Sequence, residues 1–223
     1  TKKNPFKEND VEDFLFYGVL GAIIGGRLGY MFFYGTNQLL IDPLSIIRVW
    51  EGGLSFHGGF LGVLTSFFVF SKKLKINFFD LADHIALAFP IGLGLVRIGN
   101  FLGGELIGRP TDLPWGMVFW SDSLQLVRHP SQLYQAFFEG FVLFVILNWL
   151  SKKPRPRMFI SGMFLSLYGS FRIFTESFRM PDAHIGFDFL DIITRGQLLS
   201  IPMVLAGLIL IFLSRKKENE TIS

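Results

Sequence analysis

Residues 80–98, DLADHIALAFPIGLGLVRI, decide the class of this chain. As a helix this stretch is about 28 Å long, close to the depth of a bilayer's hydrocarbon core. No charge interrupts it between Ile85 and Val96, so it has no polar face to offer water. It then reaches Arg97, a guanidinium at the edge of the apolar run. A charge at membrane depth costs a few kcal/mol, about 2.5–3.5 for arginine at a helix centre, and so calls for a partner, a water-filled cavity or a function.

Five further apolar stretches flank it, at roughly 14–34, 53–70, 133–150, 159–178 and 196–214. All six are expected to be membrane-spanning helices. The composition agrees: 223 residues with 50% hydrophobic side chains, 27 Phe and a mean hydropathy of +0.44 exclude an ordinary water-soluble domain. With no cysteine, disulfides, thiolate metal sites and a cysteine nucleophile are excluded, and any thiol in the chemistry belongs to a substrate. Thr1 to Asp13 form a polar, Lys-bearing lead without the apolar core of a signal peptide, and the chain reads as lacking an upstream segment.

Charge is distributed unevenly along the chain. Lys2, Lys3, Lys7, the Lys72 to Lys75 segment, the Lys152 to Arg157 segment and Arg215 to Lys217 all fall on one side of six spans. The opposite loops, about 35–52, 99–132 and 179–195, carry only arginines: Arg48, Arg109, Arg128, Arg179 and Arg195. The positive-inside rule puts both termini in the cytoplasm and those loops outside. The 99–132 loop holds Gly103-Gly104, Arg109-Pro110, Pro114 and His129-Pro130, turn signals that suggest a small external cap. The expected fold is an all-α polytopic bundle: the lead and three spans (1–98), the cap (99–132), three more spans (133–214) and a cytoplasmic tail (215–223), unstructured from Lys216. Neither an internal repeat nor paired broken helices suggest a transporter.

Several polar residues lie at membrane depth. Tyr168, Arg172, Glu176 and Arg179 are spaced four, four and three apart, which puts them on one helix face. One carboxylate cannot neutralise two guanidiniums, so a cation is left over for an anion. Tyr168 reads equally as a packing residue. His57 stands at the external end of the second stretch beside Gly58-Gly59, which leave room for a substrate next to the imidazole. Arg97, with Asn100 one turn on, falls at a similar depth to His57 and Arg172. A cavity there would meet a phospholipid phosphate, for which arginine's fork is suited. Glu105 and Arg109 are one turn apart if the helix continues, and a salt bridge holding the cap competes with a substrate role for Arg109. For Arg27, within Gly25-Gly26-Arg27-Leu28-Gly29, a structural cation paired with a carboxylate stands beside a substrate role. Glu139, Asp83 and His84 are candidates for pairing with Arg27 or for structural hydrogen bonds.

The segment VRIGNFLGGELIGR, Val96 to Arg109, resembles the signature of the bacterial prolipoprotein diacylglyceryl transferase family. RVWEGGLSFHGG (48–59), RHPSQLY (128–134), YGSFR (168–172), FRMPDA (178–183) and GQLLS (196–200) also resemble that family, in order and over nearly the whole chain. The chain departs from the family pattern at Gly103, where Asn is usual, and at Val96, where Gly is frequent. A hydrogen bond from that Asn is therefore not assumed. Members of the family have seven spans, and the first, with a polar aromatic residue facing the site, is missing from these six.

The resemblance implies transfer of the diacylglyceryl group of phosphatidylglycerol to the lipobox cysteine thiol of a prolipoprotein, at the external leaflet of the bacterial inner membrane. It implies His57, Arg97 and Arg172 as the catalytic group, with His57 as base and the arginines on the phosphate. Arg97, Asn100, Glu105, Arg109, Tyr168, Glu176 and Arg179 would bind substrate, Asn100 and Glu105 orienting the glycerol headgroup and Glu176 holding Arg172. The expected partners are phosphatidylglycerol, lipobox prolipoproteins and the bilayer, with no nucleic acid and neither metal nor soluble cofactor. A carrier or channel for an anionic solute or lipid is the rival, since arginines also line anion paths. It requires polar residues continuing to the cytoplasmic ends of the spans, where they thin out apart from Arg27. A metal-dependent headgroup enzyme would show paired carboxylates, which the chain does not offer.

Overall fold

Each of the six apolar stretches is helical in a computed structural model of the chain, which describes residues 8–180 and 194–222. In order the helices are α1 (Glu8–Phe33), a short α2 (Thr36–Ile41), α3 (Phe56–Lys73), α4 (Phe78–Leu102), α5 (Ser131–Gln135), α6 (Leu143–Ser151), α7 (Phe159–Glu176) and α8 (Arg195–Ile222). A π-helical segment, Ala136–Val142, joins α5 to α6 without a break. Four segments are long and apolar enough to cross a membrane: Asp10–Phe33, Phe78–Leu102, Ser131–Ser151 and Gly196–Lys216. The 18-residue helices α3 and α7 are helical as expected, without reaching that combination of length and apolarity. Large apolar side chains such as Phe16, Leu95 and Phe212 lie on the outside, as lipid-facing helices require. The Lys216 to Ser223 tail, expected to be unstructured, extends α8 as far as Ile222. Its Lys-Lys-Glu-Asn-Glu sequence is rich in helix formers. Pro181 to Ala183, which end one motif, and the side chain of Arg195 lie outside the described residues.

The chain divides into two units, 1–81 and 82–223. In the first, Gly21, Gly25 and Gly29 of α1 recur every four residues and meet Gly58 and Gly62 of α3. A Cβ on Gly29 would stand 2.8 Å from the Gly58 Cα, and one on Gly25 would stand 2.8 Å from the Gly62 Cα. Without side chains between them the two backbones touch, so dispersion can hold helices that gain nothing from excluding water in lipid. Arg27, 3% exposed, leaves this contact and donates to main-chain carbonyls of the following segment: Ser45 at 2.5 Å, Ile46 and Gly53 at 3.4 Å, and Gly52. Gly52 and Gly53 have φ of +82° and +78°, conformations open to glycine that let their carbonyls turn toward the guanidinium. The structural reading of Arg27 is the one observed, with carbonyls in place of the expected carboxylate.

In the second unit Ala86, Leu143, Leu147, Phe159 and Ile160 form the buried apolar cluster among α4, α6 and α7. Glycines again set the approach. Gly94 of α4 faces Gly140, where an added Cβ would lie 2.7 Å from the Gly94 Cα, and Gly162 of α7 faces Gly207 of α8. Asp83 of α4 caps the start of α7, accepting from the Met158 and Ser161 amides at 2.9 and 2.8 Å and from Ser161 Oγ at 2.5 Å. A carboxylate at that end satisfies free amides and suits the positive end of the helix. Asp83 thus makes structural hydrogen bonds, one of the two readings open for it.

Between α4 and α5 the chain leaves helical geometry and adds a short ribbon to the helical fold. Met117–Val118 (β1) and Val127–Arg128 (β2) pair antiparallel, and isolated bridges join Pro110 to Arg128 and Gly108 to Arg179. The 107–110 backbone is thereby tied to the 178–180 segment after α7, through Arg109 N to Phe178 O at 2.9 Å and Met180 N to Ile107 O at 3.1 Å. Arg128 is spent on structure: its Nε and Nη2 reach buried Asp122 at 2.7 and 3.0 Å. That guanidinium, together with the Leu126 and Leu124 amides, lowers the Asp122 carboxyl from its ordinary 3.8 to about 2. A carboxyl whose folded pKa lies below its unfolded value stabilises the fold above about 3.8, and the contribution is lost as pH falls through about 2. Melting temperature measured between about pH 5 and pH 2 should therefore fall in the natural protein and fall less steeply in Asp122→Asn. Equal slopes would show that this pair does not contribute.

Candidate functional site

The polar residues of α4 and α7 are brought together by one that sequence reading left without a role. Glu139 sits in the middle of the π-helical segment and is 0% exposed. The wider winding of a π turn re-aims side chains relative to an α-helix and is frequent at functional sites. One Glu139 oxygen lies 3.4 Å from Arg97 Nη2 of α4. The other lies 3.5 Å from Arg172 Nη1 and accepts from Thr175 Oγ1 of α7 at 2.9 Å. Arg172 also reaches Glu176 at 2.7 Å, one turn on, and Arg179 reaches the same carboxylate at 3.3 Å. Tyr168 stands among Arg97, Arg172 and Glu139.

The pairing is incomplete. Arg97 and Arg172 share one carboxylate, Glu139, and Arg172 and Arg179 share the other, Glu176. Both contacts to Glu139 are long for charge-assisted hydrogen bonds, about 2.7–2.9 Å when well made. Arg172 Nη1 makes no hydrogen bond although it is buried. Glu139 therefore holds Arg97 and Arg172 in place without saturating Arg172. Such an arrangement can take up an anion with two or more oxygens, where low surrounding polarity makes each contact stronger than in water.

Asn100, Glu105 and Arg109 belong to the same unit as this group. α4 ends at Leu102, so Glu105 and Arg109 are not a turn apart on a helix. Glu105 instead accepts from Asn100 Nδ2 at 3.0 Å, and its backbone amide donates to Asn100 O at 2.8 Å. Arg109 Nε donates to the Arg179 carbonyl at 3.0 Å, so Arg109 helps place the segment that carries Arg179. His57 lies in the first turn of α3, where Ser55 caps the helix by accepting from Gly58 N at 3.3 Å. The His57 side chain is outside the described residues.

Of the two readings open for Glu139, pairing with Arg27 or structural hydrogen bonds, the described contacts support the second, with Arg97, Arg172 and Thr175 as partners. Gln132 and Gln135, 0% and 1% exposed, were not singled out at all. The signal was present: Gln132, Gln135 and Glu139 follow at i, i+3 and i+7 on one face of an otherwise Phe-rich span. Polar residues so placed are as informative as the arginines they face. Among the described residues no three histidines or carboxylates gather as a metal site.

Known proteins match this chain in sequence over most of its length. The family model for prolipoprotein diacylglyceryl transferase covers residues 1–213. A phosphatidylglycerol--prolipoprotein diacylglyceryl transferase from Teredinibacter turnerae is 54% identical over 202 residues, 91% of this chain and 70% of that relative. A protein of the same name from Pseudomonas syringae pv. syringae is 50% identical, over 93% of this chain and 78% of its own length. One from Marinomonas is 52% identical, over 88% and 73%. A family model spanning all but the last ten residues, with half the positions identical in each of these relatives, is decisive. The chain belongs to the prolipoprotein diacylglyceryl transferase family.

Proposed function

We propose that this chain transfers the sn-1,2-diacylglyceryl group of phosphatidylglycerol to the lipobox cysteine thiol of a prolipoprotein, forming a thioether and releasing glycerol phosphate. The observation that carries this reading is the meeting of Arg97 and Arg172, from two helices, at one buried carboxylate, with a buried Arg172 nitrogen left without a hydrogen bond. In the reaction a sulfur–carbon bond forms at the glyceryl carbon as the bond from that carbon to a phosphate oxygen breaks. The thiol proton goes to a base, and the bonding electrons leave with the phosphate. Fixed guanidiniums aimed at that phosphate stabilise charge as it develops and need no reorganisation when it does. Glu139 and Glu176 orient the arginines, Arg179 and Tyr168 complete the surround, and Asn100, Glu105 and Arg109 contribute to binding the headgroup.

His57 is the proposed base on the strength of its motif, because neutral imidazole accepts protons near pH 7 and arginine does not. The same reading gives α3 and α7 as spans alongside the four longer helices, making six. It places the protein in the bacterial inner membrane, with both termini cytoplasmic and the 99–132 segment as an external cap. The arginine group would then lie toward the external leaflet, where an exported thiol and a phospholipid phosphate can meet.

Purified protein mixed with phosphatidylglycerol and a lipobox peptide should add a diacylglyceryl mass to the peptide, and lose that product when the peptide cysteine is serine. Arg97→Ala and Arg172→Ala should remain folded by size-exclusion chromatography and lose at least about a hundredfold in kcat/KM, as when a charge-stabilising donor is removed. Near-normal rates for either would remove it from the site. His57→Asn should lose about a hundredfold or more in kcat/KM. A rate within a few-fold of the natural protein would assign the proton elsewhere.

A further inference from the structure

Four polar atoms beside the arginine group have no hydrogen-bond partner although they are buried: Nε2 and Oε1 of Gln135, Oε1 of Gln132 and Oδ1 of Asn100. All belong to neutral amides. A buried amide without partners costs stability, and folded proteins rarely keep one unless something outside the fold completes it. Gln135 is the sharpest case, since its whole side-chain amide is unsatisfied at 1% exposure.

Its position follows from the helix packing. Gly94 of α4 lies against the Ala136 carbonyl and Gly140, so α4 and the α5 span run antiparallel with Gln135 level with Arg97 and Gln132 level with Asn100. One turn below Gln135, Glu139 meets Thr175 and Arg172, so Gln135 is also level with the Glu176 to Arg179 end of α7. The amides thus sit one turn from the guanidiniums, toward the 103–130 segment. Gln132 is fixed there by its Nε2, which donates to the Glu105 carbonyl at 2.5 Å, and Asn100 by its contact with Glu105.

Resting on the function proposed above, we infer that Gln135, flanked by Gln132 and Asn100, is a specificity-determining residue that reads the hydroxyl groups of the alcohol esterified to the lipid phosphate. An amide both donates and accepts, as an alcohol does, so one Gln135 side chain can pair a hydroxyl in either sense. A headgroup ammonium finds no equivalent welcome, because Glu139 and Glu176 are already engaged by arginines. The arginines bind what all anionic phospholipids share, and the amides read the polyol that distinguishes one of them. A site built to hydrogen-bond a hydroxyl discriminates strongly against the analogue lacking it, because its own buried groups are then left unpaired.

The test compares phosphatidylglycerol with phosphatidylpropanol, which carries the same phosphodiester charge and no headgroup hydroxyl, using full-length protein in micelles and a lipobox peptide. The natural protein should favour phosphatidylglycerol in kcat/KM by at least about tenfold. Gln135→Met, close in volume, should cut that preference at least about fivefold, with most of the loss in KM for phosphatidylglycerol. An unchanged preference in Gln135→Met overturns the inference. So does a natural protein that treats the two lipids alike, a result that does not depend on any variant folding. Failure of the underlying function reads differently: the natural protein would give no diacylglyceryl peptide from phosphatidylglycerol.

Discussion

A carboxylate buried in an apolar span needs cations and donors in place of a hydration shell, and Glu139 is such a group. It is 0% exposed and meets Arg97 on one side, Arg172 and Thr175 on the other. The dependence is mutual, because a guanidinium in an apolar span needs a counter-charge as much as the carboxylate does. Through this contact the positions of α4, the π-helical segment and α7 are coupled. Had Glu139 been absent, the two arginines would repel each other and seek water.

The helices can deliver those side chains because small residues let their backbones close up. Gly94 and Gly140 bring the Arg97 helix against the Glu139 segment, while Gly162 and Gly207 seat α7 on α8. Asp83 caps α7 at its opposite end from Arg172. The same logic operates separately in the first unit, where Gly25, Gly58 and Gly62 close α1 on α3 and Arg27 satisfies carbonyls of the loop that follows. Arginine thus has two uses in this chain: Arg27 and Arg128 hold loops, and Arg97 and Arg172 are held so that they can act.

Much of this was legible in the sequence, for identifiable reasons. The six helices follow from apolar length, and the α7 stripe from spacing, because Tyr168, Arg172 and Glu176 repeat every four residues in a regular α-helix. Glu139 was less accessible because a π-helical winding breaks the periodicity that assigns faces, and because its partners lie 42 and 33 positions away. Arg27 was open between two roles because main-chain carbonyls, unlike carboxylates, leave no trace in a residue pattern. The ribbon between α4 and α5 depends on pairing of 107–110 with 178–180, a contact that local turn signals do not encode. Asn100 and Glu105 were expected near the site, but their mutual hydrogen bond depends on α4 stopping at Leu102.

Glu139→Gln tests the account most directly, since it removes the charge and keeps the shape. Leaving two buried arginines with one partner fewer should cost about 3–5 kcal/mol of stability. The account predicts a clear drop in melting temperature together with a loss of at least about a hundredfold in kcat/KM for diacylglyceryl transfer in protein that remains folded. A Glu139→Gln variant as stable and as active as the natural protein would contradict it.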